Sequence, residues 1–208
     1  TASADSPFEA FIQLIARKYE ILRWGKFGRY LEKFSSILCL LFNSFSPKYF
    51  IREHEIKLQI PEGLSFLGFK HLAAIELALN NNCDFLVMTN SSSMLNTYLI
   101  QRYLDQLNPN IDLYAGKRMH KQIQAASGSF YILSKETCRR ILDKKRWWNH
   151  AYLDDVALFK LTSRLGIQFE ELPTLEVKSL QELNTFSINN SLNDYMHFKC
   201  GPIFDQGQ

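Results

Sequence analysis

The segment CDFLVMTNSSSMLN, which runs from Cys83 to Asn96, predicts a strand that ends in a polar loop. Its apolar run, 85–88, is short and does not alternate with polar residues, which is typical of a strand buried on both faces of an α/β sheet. The polar run 89–93 follows directly. Open α/β sheets bind ligands just outside the carboxyl ends of their strands, so this run is a candidate site. Because Ser and Asn are favoured helix N-caps, a plain cap is the alternative interpretation.

Strand and helix patterns alternate on both sides of this segment. Apolar residues at helical spacing predict helices over 66–80, 95–107, 134–143 and 154–165. Alternating apolar and polar residues predict a half-buried strand over 53–60, and short apolar runs predict strands over 111–115, 130–133 and 169–172, with a basic loop over 116–121. This order predicts an α/β protein of one domain, 1–208, with a single mixed but mostly parallel sheet flanked by helices.

The composition favours an ordered, aromatic-rich protein, since 46% of the 208 residues are hydrophobic and 16 are Phe. The 24 basic and 21 acidic residues leave a net charge of +3, which is too balanced to indicate a nucleic-acid binder. A basic and aromatic cluster over 17–30 fits either a phosphate, nucleic-acid or membrane contact or a solvated helix face. No apolar run reaches the roughly 18 residues of a membrane span. We therefore expect a cytoplasmic protein with at most peripheral contact at the inner face of a membrane.

The four cysteines are widely spaced and contain no CxxC pair, which leaves a zinc site without support. We expect reduced thiols. Cys39 and Cys83 lie among apolar residues and are predicted to be small core residues.

Five segments recur in the order and at the approximate spacing of one known family. They are CDFLVMTNSSSMLN, LYAGKRM (113–119), ASGSFYILSKETCRRIL (126–142), YLDDVALFKLTSRLGI (152–167) and HFKC (197–200). Over 64–200 the chain resembles the Fringe and β-1,3-galactosyltransferase-like glycosyltransferases, which have the GT-A fold. The family-like core is therefore 64–200, and the N-terminal helical part, 1–60, matches little.

The resemblance implies a sugar-nucleotide site at the opening segment. Where the family has three aspartates that hold a divalent metal, this chain has Asn90, Ser91 and Ser92. Neutral amides and hydroxyls bind Mg²⁺ or Mn²⁺ poorly. Three explanations stay open: a metal-independent transferase, a carboxylate recruited from elsewhere, and a catalytically silent homologue. The cofactor is unknown, and Mn²⁺ and Mg²⁺ remain candidates although the usual Asp ligands are missing.

The resemblance also assigns roles to individual side chains. The base that takes the proton of the acceptor hydroxyl corresponds to Asp155, with Asp154 second, and helix capping is a compatible alternative for both. The expected donor contacts are Asn90, Ser91, Ser92, Lys70, Lys117 and Gly128, with Arg118 and His120 as further cations for the leaving diphosphate.

Three more residues complete the predicted site. Trp147 and Trp148 are candidates for stacking on an acceptor sugar, with buried packing as the alternative. His197 is the expected metal or phosphate contact, with a satisfied surface histidine as the alternative.

These assignments lead to one principal hypothesis and one alternative. The first is an inverting glycosyltransferase that moves a sugar from a nucleotide-sugar donor, with a UDP-sugar favoured, to a glycan or lipid-linked acceptor. It involves no nucleic acid. The alternative is an inactive homologue that binds a carbohydrate or nucleotide.

Overall fold

The computed structural model describes the backbone of residues 49–52 and 55–58, and residues 67–120, 123–150, 152–177, 182 and 194–200. The predictions for the cluster over 17–30, for the N-terminal helical part and for Cys39 lie outside the described residues. Within these ranges the chain forms both helices and strands, which confirms the α/β class. No helix among them is both long and apolar enough to cross a bilayer.

The described helices are α1 (Leu67–Asn80), α2 (Thr97–Leu104), α3 (Lys135–Asp143) and α4 (Asp154–Arg164), with a short 3-10 helix at Lys145–Trp147. The strands are β1 (Tyr49–Arg52), β2 (Glu55–Leu58), β3 (Phe85–Thr89), β4 (Ser93–Leu95), β5 (Tyr114–His120), β6 (Ile123–Ser134), β7 (Phe169–Glu171), β8 (Thr174–Val177) and β9 (His197–Cys200). All four predicted helices that lie in the described ranges are present, with ends that differ by a few residues.

The chain divides into two compact units, and each is described by itself below. The first unit comprises 1–81 and 140–164, and the second comprises 82–139 and 165–208. In the first unit β1 and β2 form an antiparallel pair, and α1 packs against α4.

The second unit contains two mixed sheets. One has the strand order β3-β6-β5-β7, in which β6 is antiparallel to both neighbours and β7 is parallel to β5. The other has the order β4-β9-β8, with β4 antiparallel and β8 parallel to β9. The prediction of a single, mostly parallel sheet is therefore wrong. An apolar run reports burial on both faces, which does not fix the direction of the neighbouring strand.

Strand β6 is buried on both faces, whereas β3 is not. The prediction that β3 is a strand buried on both faces is therefore wrong. Phe130, Tyr131, Ile132 and Leu133 of β6 are at most 1% exposed, whereas the β3 residues 85–88 are only half-buried. The physical reason is position, because β3 lies at the edge of its sheet and β6 lies inside it. Phe130 and Ile132 form a core with Ala115 of β5, Ile100 of α2 and Leu172.

The predicted basic loop over 116–121 is also wrong, because 116–120 belong to β5. At Gly116, an added Cβ would lie 2.4 Å from the Phe130 carbonyl oxygen and 2.7 Å from the Tyr131 Cα, so β5 meets β6 at a distance that only glycine allows. The basic side chains of this strand are neutralised by ion pairs of Lys117 with Glu176 and Arg118 with Glu171.

The two described thiols differ in their surroundings. Cys83 is exposed, so the prediction that it is a core residue is wrong. It follows the turn that ends α1, where Asn82 has a positive φ of 54°, and the neighbouring apolar run begins only at Phe85. Cys138 of α3 is buried, and burial, with a smaller contribution from the charge of Cys83, raises its pKa to about 12.

Candidate functional site

The residues singled out in the sequence form two groups, one in each unit. The loop group belongs to the second unit and contains Asn90, Ser91, Ser92, Lys117, Gly128 and His197. The helix group belongs to the first unit and contains Lys70, Trp147, Trp148, Asp154 and Asp155.

The polar residues after β3 form a turn that is tied together by the Asn90 side chain. Asn90 Oδ1 accepts hydrogen bonds from Ser93 Oγ at 2.6 Å and Ser92 Oγ at 3.1 Å, and the Ser93 amide donates to the Asn90 carbonyl at 3.2 Å. These residues do not cap α2. The N-cap is Asn96, whose Oδ1 accepts from the Leu99 amide at 3.2 Å. The alternative interpretation as a plain helix cap is therefore wrong, and the turn presents hydroxyls at the end of a strand.

His197 contacts this turn although it lies 104 residues after Ser93 in the sequence. Its strand, β9, pairs with β4, and the His197 Nε2 lies 2.9 Å from Ser93 Oγ. The imidazole is fully buried and stacks on Phe130, with ring centroids 4.8 Å apart and planes 7° apart. The interpretation of His197 as a satisfied surface histidine is wrong, because the side chain is buried. The sequence pattern could not show this, since the burial depends on the position of β9 between two other strands.

The contacts of Ser93 favour one tautomer of His197. The Ser93 hydroxyl has two oxygen acceptors, Asn90 Oδ1 at 2.6 Å and the Ser129 carbonyl at 3.4 Å, so its single proton is directed at these and its oxygen is placed to accept a hydrogen bond from His197 Nε2. The Nδ1 atom then carries a lone pair, and it is buried without a hydrogen-bond partner among the described residues. Burial, together with the positive charges of Lys117 and Lys199, lowers the pKa of His197 to about 4, although Glu176 opposes the shift. The imidazole is therefore neutral near pH 7.

The donor set of this turn does not fit Mn²⁺ or Mg²⁺. Around Asn90 it consists of hydroxyl oxygens, an amide oxygen and an imidazole nitrogen, whereas these ions prefer carboxylate oxygens. Across the residues that the structure describes, no three His, Cys, Asp or Glu side chains are grouped so that they could hold a metal. The turn is suited instead to hydrogen bonding with hydroxyl or phosphate oxygens.

Two serines of β6 lie beside the turn. The Ser129 carbonyl accepts from Thr89 Oγ1 at 3.2 Å, and the Ser129 hydroxyl lies 3.1 Å from the Ser127 hydroxyl. Gly128 lies between them in β6. Ser93, the last residue of the polar run 89–93, contacts both Asn90 and His197, and the sequence assigned it no specific partner.

In the helix group, the two aspartates have different surroundings. Asp154 Oδ2 lies 3.0 Å from Nε2 of His71 on α1, and both side chains are largely buried. Burial alone would raise the pKa of Asp154, but the hydrogen bond and charge of His71 and the backbone amides of α4 lower it below the ordinary value. Asp155 Oδ1 accepts from the Val156 amide at 2.8 Å. Both carboxylates thus lie in the first turn of α4, where the helix dipole favours negative charge.

The two tryptophans also differ. Trp148 is 1% exposed and packs against α1 at Gly68, where an added Cβ would lie 2.4 Å from Trp148 Nε1 and 2.6 Å from His150 Nδ1. This geometry favours the packing interpretation for Trp148. Trp147 is 39% exposed, and Arg164 lies over its ring with Cζ 3.9 Å from the centroid. Lys70 is half-buried on α1.

Comparison with known proteins adds no further assignment, because no protein-family model and no curated protein matches this chain. The resemblance to the Fringe-like transferases therefore remains a prediction from the motifs.

Proposed function

We propose that the chain is an inverting glycosyltransferase of the GT-A type that uses a nucleotide-sugar donor, in the first instance a UDP-sugar, and a glycan or lipid-linked acceptor. The main support is the contact between the turn after β3 and His197 of β9. These two segments lie 104 residues apart at Ser93 and His197, and the motif resemblance assigns both of them to the donor site.

In this proposal the turn binds the donor through hydrogen bonds rather than through a metal. The hydroxyls of Ser91 and Ser92 and the Asn90 carboxamide are suited to the ribose and phosphate oxygens of a nucleotide. Lys117, which pairs with Glu176 in the structure, supplies positive charge for the departing diphosphate once the phosphate oxygens replace that carboxylate. Donor binding is then independent of Mn²⁺, because hydroxyl, amide and ammonium groups donate hydrogen bonds to phosphate oxygens without a bridging metal ion.

The same proposal gives the proton of the acceptor hydroxyl to Asp155. A base must be ionised near neutral pH and lie within hydrogen-bond distance of the hydroxyl. Asp155 lies in the first turn of α4, where the helix dipole favours negative charge. Asp154 is engaged with His71. We propose a cytoplasmic protein without a nucleic-acid partner.

Calorimetric titration with UDP, UDP-sugars and other nucleoside diphosphates, with and without Mn²⁺, tests donor binding. Product analysis then tests sugar transfer or donor hydrolysis, and we expect Asp155→Asn to abolish turnover while leaving donor affinity nearly unchanged. Failure of the wild-type protein to bind or hydrolyse any sugar nucleotide would overturn the proposal. Tight binding that requires Mn²⁺ would contradict its metal-independent form.

A second function is favoured by the neutral turn itself. An inactive homologue that binds a carbohydrate or nucleotide requires no leaving-group stabilisation, and the absence of carboxylates from Asn90 to Ser92 agrees with such a role. It predicts nucleotide or glycan binding without turnover, and identical behaviour of the wild-type protein and Asp155→Asn.

A further inference from the structure

One surface of the first unit combines exposed cations with two aromatic rings, of which Trp147 is exposed and Tyr152 half-buried. It is formed by the 3-10 helix and its neighbours together with the outer face of α4, and we name it the basic aromatic patch. Its members are Lys144, Arg146, Trp147, Tyr152, Lys160 and Arg164.

Contacts between these side chains make the patch continuous. The Trp147 ring has Arg164 Cζ 3.9 Å and Lys144 Nζ 5.4 Å from its centroid. Lys160 Nζ lies 4.3 Å from the centroid of Tyr152. Lys160 and Arg164 are one turn apart on α4, so they lie on the same face of the helix. The two aromatic contacts are thereby joined through α4 into one surface.

The positive charge of the patch is not neutralised by nearby carboxylates. Lys144, Arg146, Lys160 and Arg164 are exposed, and within the part of the chain that the structure describes they form no ion pair. Residues 140–164 contain six Lys or Arg and three Asp, and one of these aspartates, Asp154, is directed at His71. The net charge of this segment, +3, equals the net charge of the whole chain.

We propose that the basic aromatic patch docks on an anionic phospholipid surface. Clustered lysines and arginines are attracted to anionic headgroups, and an exposed tryptophan is suited to the membrane interface because its ring is apolar and its N–H is polar. Trp147 is 39% exposed, and Leu153 beside Tyr152 is 37% exposed, so the patch offers apolar side chains to insert between headgroups.

The geometry favours a lipid surface over a nucleic acid. Single-stranded nucleic acids gain much of their affinity when bases stack on free aromatic faces. Here Arg164 already covers Trp147 and Lys160 already covers Tyr152. A lipid headgroup requires only the cations, which are exposed, and part of an interfacial side chain such as Trp147, which is 39% exposed. This inference is independent of the proposed sugar transfer.

Co-sedimentation of the full chain with vesicles tests the inference. The vesicles contain phosphatidylcholine alone or with phosphatidylglycerol in about a 2:1 ratio. We expect binding to the mixed vesicles only, and weaker binding as the salt concentration rises. Arg164→Gln should weaken binding about fivefold, which corresponds to about 1 kcal/mol for one cation at an anionic surface. Arg164→Lys keeps the charge and should retain most of the affinity.

The second unit offers a matched control. Arg102 is also an exposed arginine in the last turn of a helix, and its Cζ lies 5.7 Å from the ring centroid of the exposed Tyr98. We expect Arg102→Gln and Tyr98→Ala to leave vesicle binding unchanged, whereas Arg164→Gln and Trp147→Ala reduce it. Circular dichroism of each variant establishes that it is folded.

Several results would overturn the inference. They are equal binding to neutral and anionic vesicles, no binding to either, or equal effects of Arg164→Gln and Arg102→Gln. Tight, salt-sensitive binding of a single-stranded oligonucleotide that Arg164→Gln abolishes, without vesicle binding, would identify a nucleic-acid surface instead.

Discussion

Ser93 Oγ and His197 Nε2 lie 2.9 Å apart, and this contact ties the last described strand to the turn that follows β3. The serine accepts from the imidazole while it donates to Asn90, so one hydroxyl connects three segments of the second unit. Burial, with the positive charges of Lys117 and Lys199, lowers the pKa of His197 to about 4, so this imidazole is neutral near pH 7.

The neutral state of His197 should make stability depend on pH. Its folded pKa of about 4 lies below the ordinary 6.5, so the unfolded chain binds a proton first as pH falls. The full contribution to stability is present above pH 6.5 and is lost as pH falls towards 4. Between pH 7.5 and 5 we expect this residue alone to cost about 2 kcal/mol of the free energy of unfolding. His150, whose pKa burial lowers to about 3, should add a similar loss.

Urea unfolding at the two pH values measures this effect. His197→Gln, which keeps a donor for Ser93, should reduce the pH dependence by about half. A variant with the full wild-type pH dependence would show that His197 is not the neutral buried group described above.

The His71–Asp154 pair should contribute to stability. Removing the imidazole in His71→Ala leaves a largely buried carboxylate without that partner, which costs about 3 kcal/mol in unfolding free energy. The pKa of Asp154 should then rise, because burial is no longer opposed by His71. Because the folded pKa is below the ordinary 3.8, the contribution of the pair is present above that pH and is lost below it.

Asp155→Asn is the matched control for this pair. Its side-chain oxygen can still accept from the Val156 amide, so it should cost less than His71→Ala, about 1 kcal/mol for the lost charge at the start of the helix, while it abolishes the proposed sugar transfer. Chemical denaturation and an NMR titration of the carboxylates measure both effects. Equal losses of stability in the two variants would contradict this division of roles.

Gly116→Ala should be among the more damaging substitutions in the second unit. The added methyl would lie 2.4 Å from a backbone oxygen of β6, so one strand must move, at a cost of about 3 kcal/mol. At Gly166, which ends α4 with a φ of 74°, an added methyl meets nothing within 4 Å. Gly166→Ala should therefore cost only about 1 kcal/mol from backbone strain. Thermal unfolding that ranks the two variants in the opposite order would contradict the close approach of β5 and β6.

The thiols of Cys83 and Cys138 should differ in reactivity. Cys83 is exposed, whereas burial raises the pKa of Cys138 to about 12, so almost no thiolate exists there at pH 8. Cys83→Ala should remove one equivalent from the fast phase of labelling with a chromogenic disulfide. Cys138→Ala should leave that phase intact. A fast phase that depends on Cys138 would mean that α3 opens readily.

Local patterns predicted the elements whose signals lie within one segment. The periodicity of α1, α3 and α4 and the apolar run of β3 were sufficient. Ser134, the first residue of the helix predicted over 134–143, accepts from the Thr137 amide at 3.2 Å at the start of α3. The sheet arrangement could not be predicted in this way, because it depends on partners that are distant in sequence. Read alone, the basic residues of β5 indicate a solvent-exposed loop. Their charges are neutralised by Glu171 and Glu176, which are distant in sequence and reach them only in the folded protein.

The same distinction holds for the candidate site. The turn at Asn90 could be located from composition, because a polar run after an apolar strand has a physical meaning. The burial of His197 and its contact with Ser93 could not, since both require β9 to pair with β4. The His71–Asp154 pair also has no local signal, because a histidine within a helix is more often a plain packing residue.

The central position of β9 in its sheet has a consequence for synthesis. Strands β4 and β8 are not paired with each other, and each is joined to the sheet through β9. Ser93 leaves the ribosome 104 residues before His197, which is about 5 to 20 s at translation rates of roughly 5–20 residues/s. During that interval the edge of β4 is unpaired, so a nascent chain in this window is the form most in need of a chaperone.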